Sequence, residues 1–419
     1  MKTKVSHRSY KLLATVLALA LPCATTASAQ VPAQFPTSPT FMRTYDFGAP
    51  PRSVDELRQT FQLGDGQILA VGYETGINFQ GRLFFATLDL LGNPTSVKHS
   101  ALEFMSSDIE IFRNQKGEYF IGGRTGTWLN NVFTLTKLAR DGRQLWEWTA
   151  YLNYRVFSTS DGGCLIANMP RDHDLERLYV AKLDANGVME WERNHDISFP
   201  PGLGFLDVSF ERVGADGHVL GGSLGHLPRP AIGFSGSDNF YLLKIDAQGE
   251  QEWFHRYSFP GSSIEIPPGM YSSDLKVKQD EDGNFVGIGQ ASEEPVGDDG
   301  LIFKVDASGS LLWQRRFGIP GNYERLFDVE VTHDGGYAVA GSRFMGPGFA
   351  FEGYLFKLGP DGNILYERTF PSSDPNYSTY CWNITEMKNG DLLLSGLRQY
   401  QDDFVTDSLL IRVHANGDL

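Results

Sequence analysis

Cysteine is nearly absent from this chain, with three in 419 residues, and that scarcity excludes a disulfide-stapled scaffold. Cys23 lies in a leader-like N-terminus; Cys164 and Cys381 fall on distant copies of the repeat described below and read as small buried apolar residues rather than a bridge. Positive charge is scarce as well. Against 51 Asp and Glu stand 36 Lys and Arg, a net charge of −15, which disfavours nucleic acid and anionic membranes as partners. No apolar run beyond Leu21 is long enough for a membrane-spanning helix.

The usual signatures of chemistry are missing too. The nine His residues show no zinc spacing and have no Cys pair to help them. Gly233-Phe234-Ser235-Gly236 has the wrong spacing for a nucleophile elbow. Asp280-Glu281-Asp282-Gly283-Asn284 lacks the acidic alternation and distant Glu of a calcium loop, and reads as an acidic hairpin turn. Glycine-rich turns here precede strands, so they offer phosphate no helix N-terminus. No metal and no cofactor is expected.

What is present is repetition. Seven times between Phe41 and Leu419 the chain runs strand, Gly turn, strand ending in Gly, variable stretch, Lys-Leu-Asp-like strand and second Gly turn. The sixth copy reads FDVEVTHDGGYAVAGS at 327–342 and GYLFKLGPDGNILYERTF at 353–370. The first turn falls at Asp65-Gly66, Lys116-Gly117, Asp161-Gly162, Asp216-Gly217, Asp282-Gly283, Asp334-Gly335 and Asn389-Gly390. The second falls at Gly92, Gly142, Gly187, Gly249, Gly309, Gly362 and Gly417, 25 to 27 residues later in six copies and 32 later in the fourth. Asp-Gly and Asn-Gly are strong hairpin signals, here expected as type I′ turns. Strands with regular turns and no helix signals indicate an all-β repeat, and a period of this size implies a seven-bladed β-propeller of four-stranded blades.

The fourth strand of each blade follows the second turn, as in Trp313-Gln314-Arg315-Arg316-Phe317 and Tyr366-Glu367-Arg368-Thr369-Phe370. The seventh copy has no room for one, whereas Phe41-Met42-Arg43-Thr44-Tyr45 before the first copy carries the same aromatic–x–Arg–x–aromatic pattern. The N-terminal strand is therefore expected to complete the last blade and remove the open edge. Aromatic, Arg and aromatic at alternate positions share one face, expected to pack between blades. The Lys that recurs at 137, 182, 244, 304 and 357 is expected to be a solvated edge guard.

Residues 1–29 read as a secretory signal, with Lys2, Lys4, Arg8 and Lys11 before the apolar Leu12–Leu21 and an Ala27-Ser28-Ala29 cleavage site. Residues 30–40, with Pro32, Pro36 and Pro39, read as an extended linker, and 41–419 as the propeller. The expected product is secreted, extracellular or periplasmic, and monomeric, with no membrane insertion.

Two sets of residues are candidates for binding. The innermost strands begin near a short polar residue: Asp55, Asp108, Asp207, Asp274, Asp328 and Asn383, with Arg155 in the third copy. These would place a broken ring of carboxylates near one channel mouth, open to a cation or polar ligand, or else each Asp bonds the backbone of the loop entering its own strand. The short turns emerge on one side of the blades and the variable connections on the other, so the long-loop face is where binding is expected. Trp128, Arg171, His226, Arg229, Phe234, Phe344 and Tyr400 are its candidate contacts, unless each packs its own loop.

Asp-Gly-Gly-Tyr-Ala-Val-Ala-Gly at 334–341 and Lys-Leu-Asp-Ala-Asn-Gly-x3-Trp at 182–191 resemble the repeats of secreted bacterial propeller proteins common in Bacteroidota, over essentially all of 41–419. The turn-plus-Trp pattern is distantly similar to pyrroloquinoline-quinone-type propeller repeats. Asp184 to Gly187 is one residue shorter than that repeat's turn, and seven copies stand where quinone dehydrogenases have eight. The resemblance implies blade geometry and no quinone site. Two function classes follow. One is a non-catalytic binding or scaffold protein recognising a glycan, protein or surface ligand through the long-loop face; the other is an extracellular hydrolase or lyase with carboxylates there or at the channel mouth.

Overall fold

Alternating apolar and polar residues on either side of each Gly turn become antiparallel strands in the computed structural model, which describes residues 40–47, 54–75, 81–104, 109–127, 130–151, 154–168, 177–196, 203–205, 208–213, 217–226, 234–235, 239–258, 265–266, 275–293, 297–318, 323–344, 350–400 and 405–419. The leader and linker read from the sequence lie outside these residues. Copies two, three, five and six each form one four-stranded sheet with strands in chain order. In the sixth these are Glu324–Val331, Tyr337–Phe344, Phe351–Leu358 and Ile364–Phe370. The fourth copy gains a fifth strand, Leu203–Phe205, on the far end of Gly217–His226. The first and seventh copies join through a single parallel bridge, Val54 to Thr406.

The N-terminal strand Phe41–Tyr45 pairs antiparallel with Thr406–Val413, Phe41 opposite Arg412 and Tyr45 opposite Ser408. It takes the outer place in the seventh copy's sheet. The core is not one mass but a series of layers between successive sheets. Leu165 and Val180 of the third copy interleave with Leu220 and Tyr241 of the fourth. Leu57, Ile68 and Phe84 of the first meet Leu393 and Leu410 of the seventh, with Tyr45 among them. The packing circuit therefore closes on itself.

The Gly turns differ from expectation in type. Gly66 N–H donates to Leu63 O at 3.0 Å and Leu63 N–H to Gln67 O at 2.8 Å, a three-residue loop in which only its last residue needs the left-handed conformation. That is a type I turn followed by a Gly bulge, not the two-residue type I′ turn. The Asp side chain holds the loop: Asp89 Oδ1 accepts from the N–H groups of Leu91 and Asn93 at 2.9 and 2.8 Å. Side-chain and backbone donors from Asn93 hold its pKa below the usual carboxylate range.

The second turn is also a docking point in most copies. Trp146 Nε1 donates to Ala185 O of the next copy at 2.9 Å, and Trp191, Trp253 and Tyr366 do the same to Ala247, Ala307 and Ala415. Gly187 lies under the Trp146 ring at φ +81°, where a Cβ would come within 2.9 Å of it. Phe41 covers Gly92 in the same way, and Tyr45 donates to Gly92 O at 2.7 Å. The closing strand thus docks onto the first copy as the outer strands of copies two to six dock onto their successors; the Gly142 turn, which follows the first copy, has nothing within 4 Å of the place a Cβ would take. Arg43 and Arg368 stack on Phe41 and Tyr366 and reach Asn93 and Gly417 O.

The recurring Lys is not an edge guard. Lys137, Lys304 and Lys357 are buried, as is Arg412 in the same place. Lys137 pairs with Glu118 at 2.9 Å and donates to Gly162 O and Ala185 O of the next copy. Lys304 pairs with Asp280, Lys357 with Asp334 and Arg412 with Asp391, each at 2.8 Å. The next sheet covers a position that looks marginal when a single copy is considered alone.

Candidate functional site

The first strands of successive copies lie side by side, tied by side chains that accept from the neighbour's backbone. Glu110 Oε2 accepts from Val156 N–H at 2.7 Å, Asp328 Oδ2 from Ile384 N–H at 3.0 Å, and Gln62 Oε1 from Lys388 N–H at 2.9 Å. Asp328 therefore bonds the neighbouring sheet rather than the loop entering its own strand. Each first strand runs from the long connections toward its Gly turn, so its early residues sit at the long-loop end.

Three consecutive first strands, in copies six, seven and one, carry a β-bulge at one register. The pairing skips Phe327 in Glu324–Val331, Trp382 in Tyr377–Glu386 and Arg58 in Val54–Gln62. Each stands eight residues before the left-handed Gly of its turn, Gly335, Gly390 and Gly66. Among the described residues the other first strands pair without a shift. A bulge removes one residue from the alternation and re-aims its side chain, a device common beside binding and active sites. Here the three re-aimed side chains meet: the Phe327 and Trp382 ring centroids are 4.7 Å apart and the Arg58 guanidinium lies 5.7 Å from the Trp382 ring. All three keep partial solvent contact.

The row continues outward. Tyr380 is 5.9 Å from Trp382, Phe351 is 5.4 Å from Tyr380, and Phe344 and Tyr323 follow at 5.5 and 5.9 Å. Arg325 sits over Phe351 at 5.7 Å. Polar groups flank the row: Arg58 pairs with Glu56, and Asn383 Nδ2 donates to Asp328 Oδ2 at 2.5 Å. Arg58 Nε, Trp382 Nε1 and Asn383 Oδ1 are covered and have no hydrogen-bond partner.

Farther along the first strands, Glu211, Lys278, Asp328 and Glu330 form a charged group in which Asp328 is buried and the other three are half-buried. Burial raises the pKa of Glu211 and of Asp328, and lifts that of Glu330 to about 7. Glu211, with help from Glu330 and Asp328, holds the Lys278 ammonium protonated well above its usual range. Among the described residues no three His, Cys, Asp or Glu side chains are arranged to hold a metal ion. A separate cleft of about 70 Å³ opens at the short-turn end between copies three and four, lined by Ser160, Asp161, Lys182, Trp191 and His218. Both ring nitrogens of His218 lack a partner, although the residue is 4% exposed.

Of the residues singled out in the sequence, Asp328 and Asn383 come together as above. Asp55 falls four positions ahead of the residue in that register, Gln59, and accepts from Phe47 N–H at 3.1 Å. Arg155 pairs with Glu110 at 2.9 Å. Phe344 lies in the aromatic row, tilted against Phe351, and Tyr400 packs edge-on against Tyr377 at 5.2 Å. His226 and Phe234 lie on strands, opposite Leu203 and Ile266, without described side chains. Asp108, Asp207, Asp274, Trp128, Arg171 and Arg229 lie outside the described residues. Sequence reading missed Arg58, Phe327 and Trp382. Their shared distance from the Gly of the turn was the available signal.

No protein-family model and no curated protein sequence matches the chain. Solved structures share its fold. An ulvan lyase of a new polysaccharide lyase family aligns with a TM-score of 0.56 at 8% identity, over 86% of this chain and 95% of its own. The polysaccharide lyase Uly1 aligns at 0.51 with 9% identity, over 88% and 92%. The β-propeller domain of the Trilobed protease from Pyrococcus furiosus aligns at 0.45 with 11% identity, over 87% and 97%. At such identities the likeness concerns architecture alone; the chain's own closed circuit of layered, mostly four-stranded sheets is that of an all-β propeller.

Proposed function

We propose that the protein is a secreted, seven-bladed propeller, closed by its N-terminal strand, that binds a glycan without cleaving it through the face carrying the long connections. The observation that carries this reading is the Phe327–Trp382–Arg58 row, which three in-register bulges bring together at the start of the first strands. Partly exposed aromatic rings supply flat apolar surface, and guanidinium and amide groups beside them supply directional contacts, the combination that sugar rings require. Seven sequence copies and a core layer between each successive pair support the blade count.

A second reading, a hydrolase or lyase, has one specific observation in its favour. Glu330 is poised near neutrality beside Lys278, Glu211 and Asp328, as acid–base catalysis asks. A glycan array probed with residues 30–419, followed by an assay for new reducing ends or unsaturated products on every retained glycan, separates the two. Retention without product supports binding, product release supports the enzyme, and the absence of any retained glycan refutes both as stated.

A further inference from the structure

The unpaired polar atoms beside the aromatic row point to the charge of what it takes. Arg58 Nε and Trp382 Nε1 are donors without an acceptor, and Asn383 Oδ1 is an acceptor without a donor. Leaving such covered groups unpaired is costly, so the arrangement gains when a ligand satisfies them. Two unpaired N–H donors on neighbouring side chains, the Arg58 guanidinium 5.7 Å from the Trp382 ring, call for an oxyanion; the amide oxygen calls for a hydroxyl. Among the described residues the Arg58 side chain, 21% exposed, pairs only with Glu56, two residues away on the same strand.

We infer that the Arg58–Trp382–Asn383 group is a subsite for an acidic sugar of a polysaccharide, its ring on the Trp382 face, its carboxylate or sulfate ester on Arg58 and the Trp382 N–H, and a ring hydroxyl on Asn383. This subsite rests on the glycan-binding reading and deepens it. Because the three atoms are covered in the free chain, binding includes a side-chain rotation that opens them, an ordinary adjustment at interfaces.

The test is calorimetric titration of the full chain with two matched pairs of polymers: polygalacturonate oligomers against their methyl esters, and dextran sulfate against dextran. The expected result is binding at least about tenfold tighter for a charged member than for its neutral partner, the first pair reporting a carboxylate subsite and the second a sulfate one. Arg58→Gln should erase that preference, while Arg193→Gln, the same charge loss on an outer strand, should keep it. Trp382→Phe, which retains a ring and loses the N–H, should weaken the charged ligand more than the neutral one. Independently of any variant, the Trp382 indole N–H resonance should shift on adding the charged polymer. Equal affinity for charged and neutral members, or a preference that survives Arg58→Gln, overturns the acidic subsite and leaves the glycan reading standing. Failure of all four polymers to bind also overturns the subsite, and the array then decides the glycan reading on its own.

Discussion

His218 occupies a position that the other copies give to larger or fully apolar side chains. It pairs with Ile245, as Phe285 pairs with Val305 and Tyr337 with Leu358. Phe285 and Tyr337 are buried against Trp253 and Trp313, whereas the imidazole leaves the cleft beside Trp191 unfilled. Burial drives its pKa from 6.5 down to about 4, so the folded chain holds the ring neutral. The sign follows: protonation favours the unfolded chain, and the contribution is complete above pH 6.5 and lost as the pH falls through about 4. The loss amounts to about 3 kcal/mol. His218→Phe should therefore raise stability by about 1–2 kcal/mol at neutral pH, by filling space and removing two unpaired nitrogens. Its advantage should widen steadily between pH 6.5 and 4 in denaturant titrations. An advantage that does not change over that interval would show that the ring is not buried neutral.

At the scale of elements, the outer-strand latch was legible and the inner-strand bulge was not. The aromatic–x–Arg–x–aromatic pattern repeats, and a repeated apolar face must find a repeated partner, which proved to be the next copy's second turn. The bulge is a register event. A skipped residue alters no composition and no turn, and Asp55 was matched to Asp328 because the two look alike, although Gln59 holds the equivalent place. The recurring Lys was misread for a related reason: its burial comes from a neighbouring copy, which no single strand reveals. The latch makes a sharp prediction. Gly187→Ala puts a methyl group 2.9 Å from the Trp146 ring at a backbone angle that favours Gly. It should cost about 1–3 kcal/mol, and Gly142→Ala, equally left-handed but with nothing within 4 Å, should cost less. Equal losses in thermal melts would mean that only backbone strain matters and that the ring contact contributes nothing.

For the whole molecule, stability depends on a seam that joins the two ends of the described chain. Every other junction between sheets is made by copies adjacent in sequence. The junction of the seventh and first copies needs Phe41–Tyr45 on one side and Val54–Gln62 on the other, brought to Thr406–Val413 across most of the chain. Closing so long a loop costs entropy that grows slowly with length but is recovered only once the seam forms. The closing strand does three things at once: it covers the edge of Thr406–Val413, docks Phe41 and Tyr45 on Gly92, and adds Tyr45 to the core layer between the two copies. Deleting Phe41–Phe47 should lower the melting temperature, and amide exchange shows where. Thr406–Val413 and the Gly92 turn should lose protection first, while the strands of copies three to five, whose junctions are unchanged, should remain slow. A synthetic peptide of residues 40–48 added at high concentration should restore part of that protection by mass action. An unchanged melting temperature refutes closure by this strand. A uniform rise in exchange around all the sheets shows instead that the circuit opens as one cooperative unit, so that no seam is weaker than the rest.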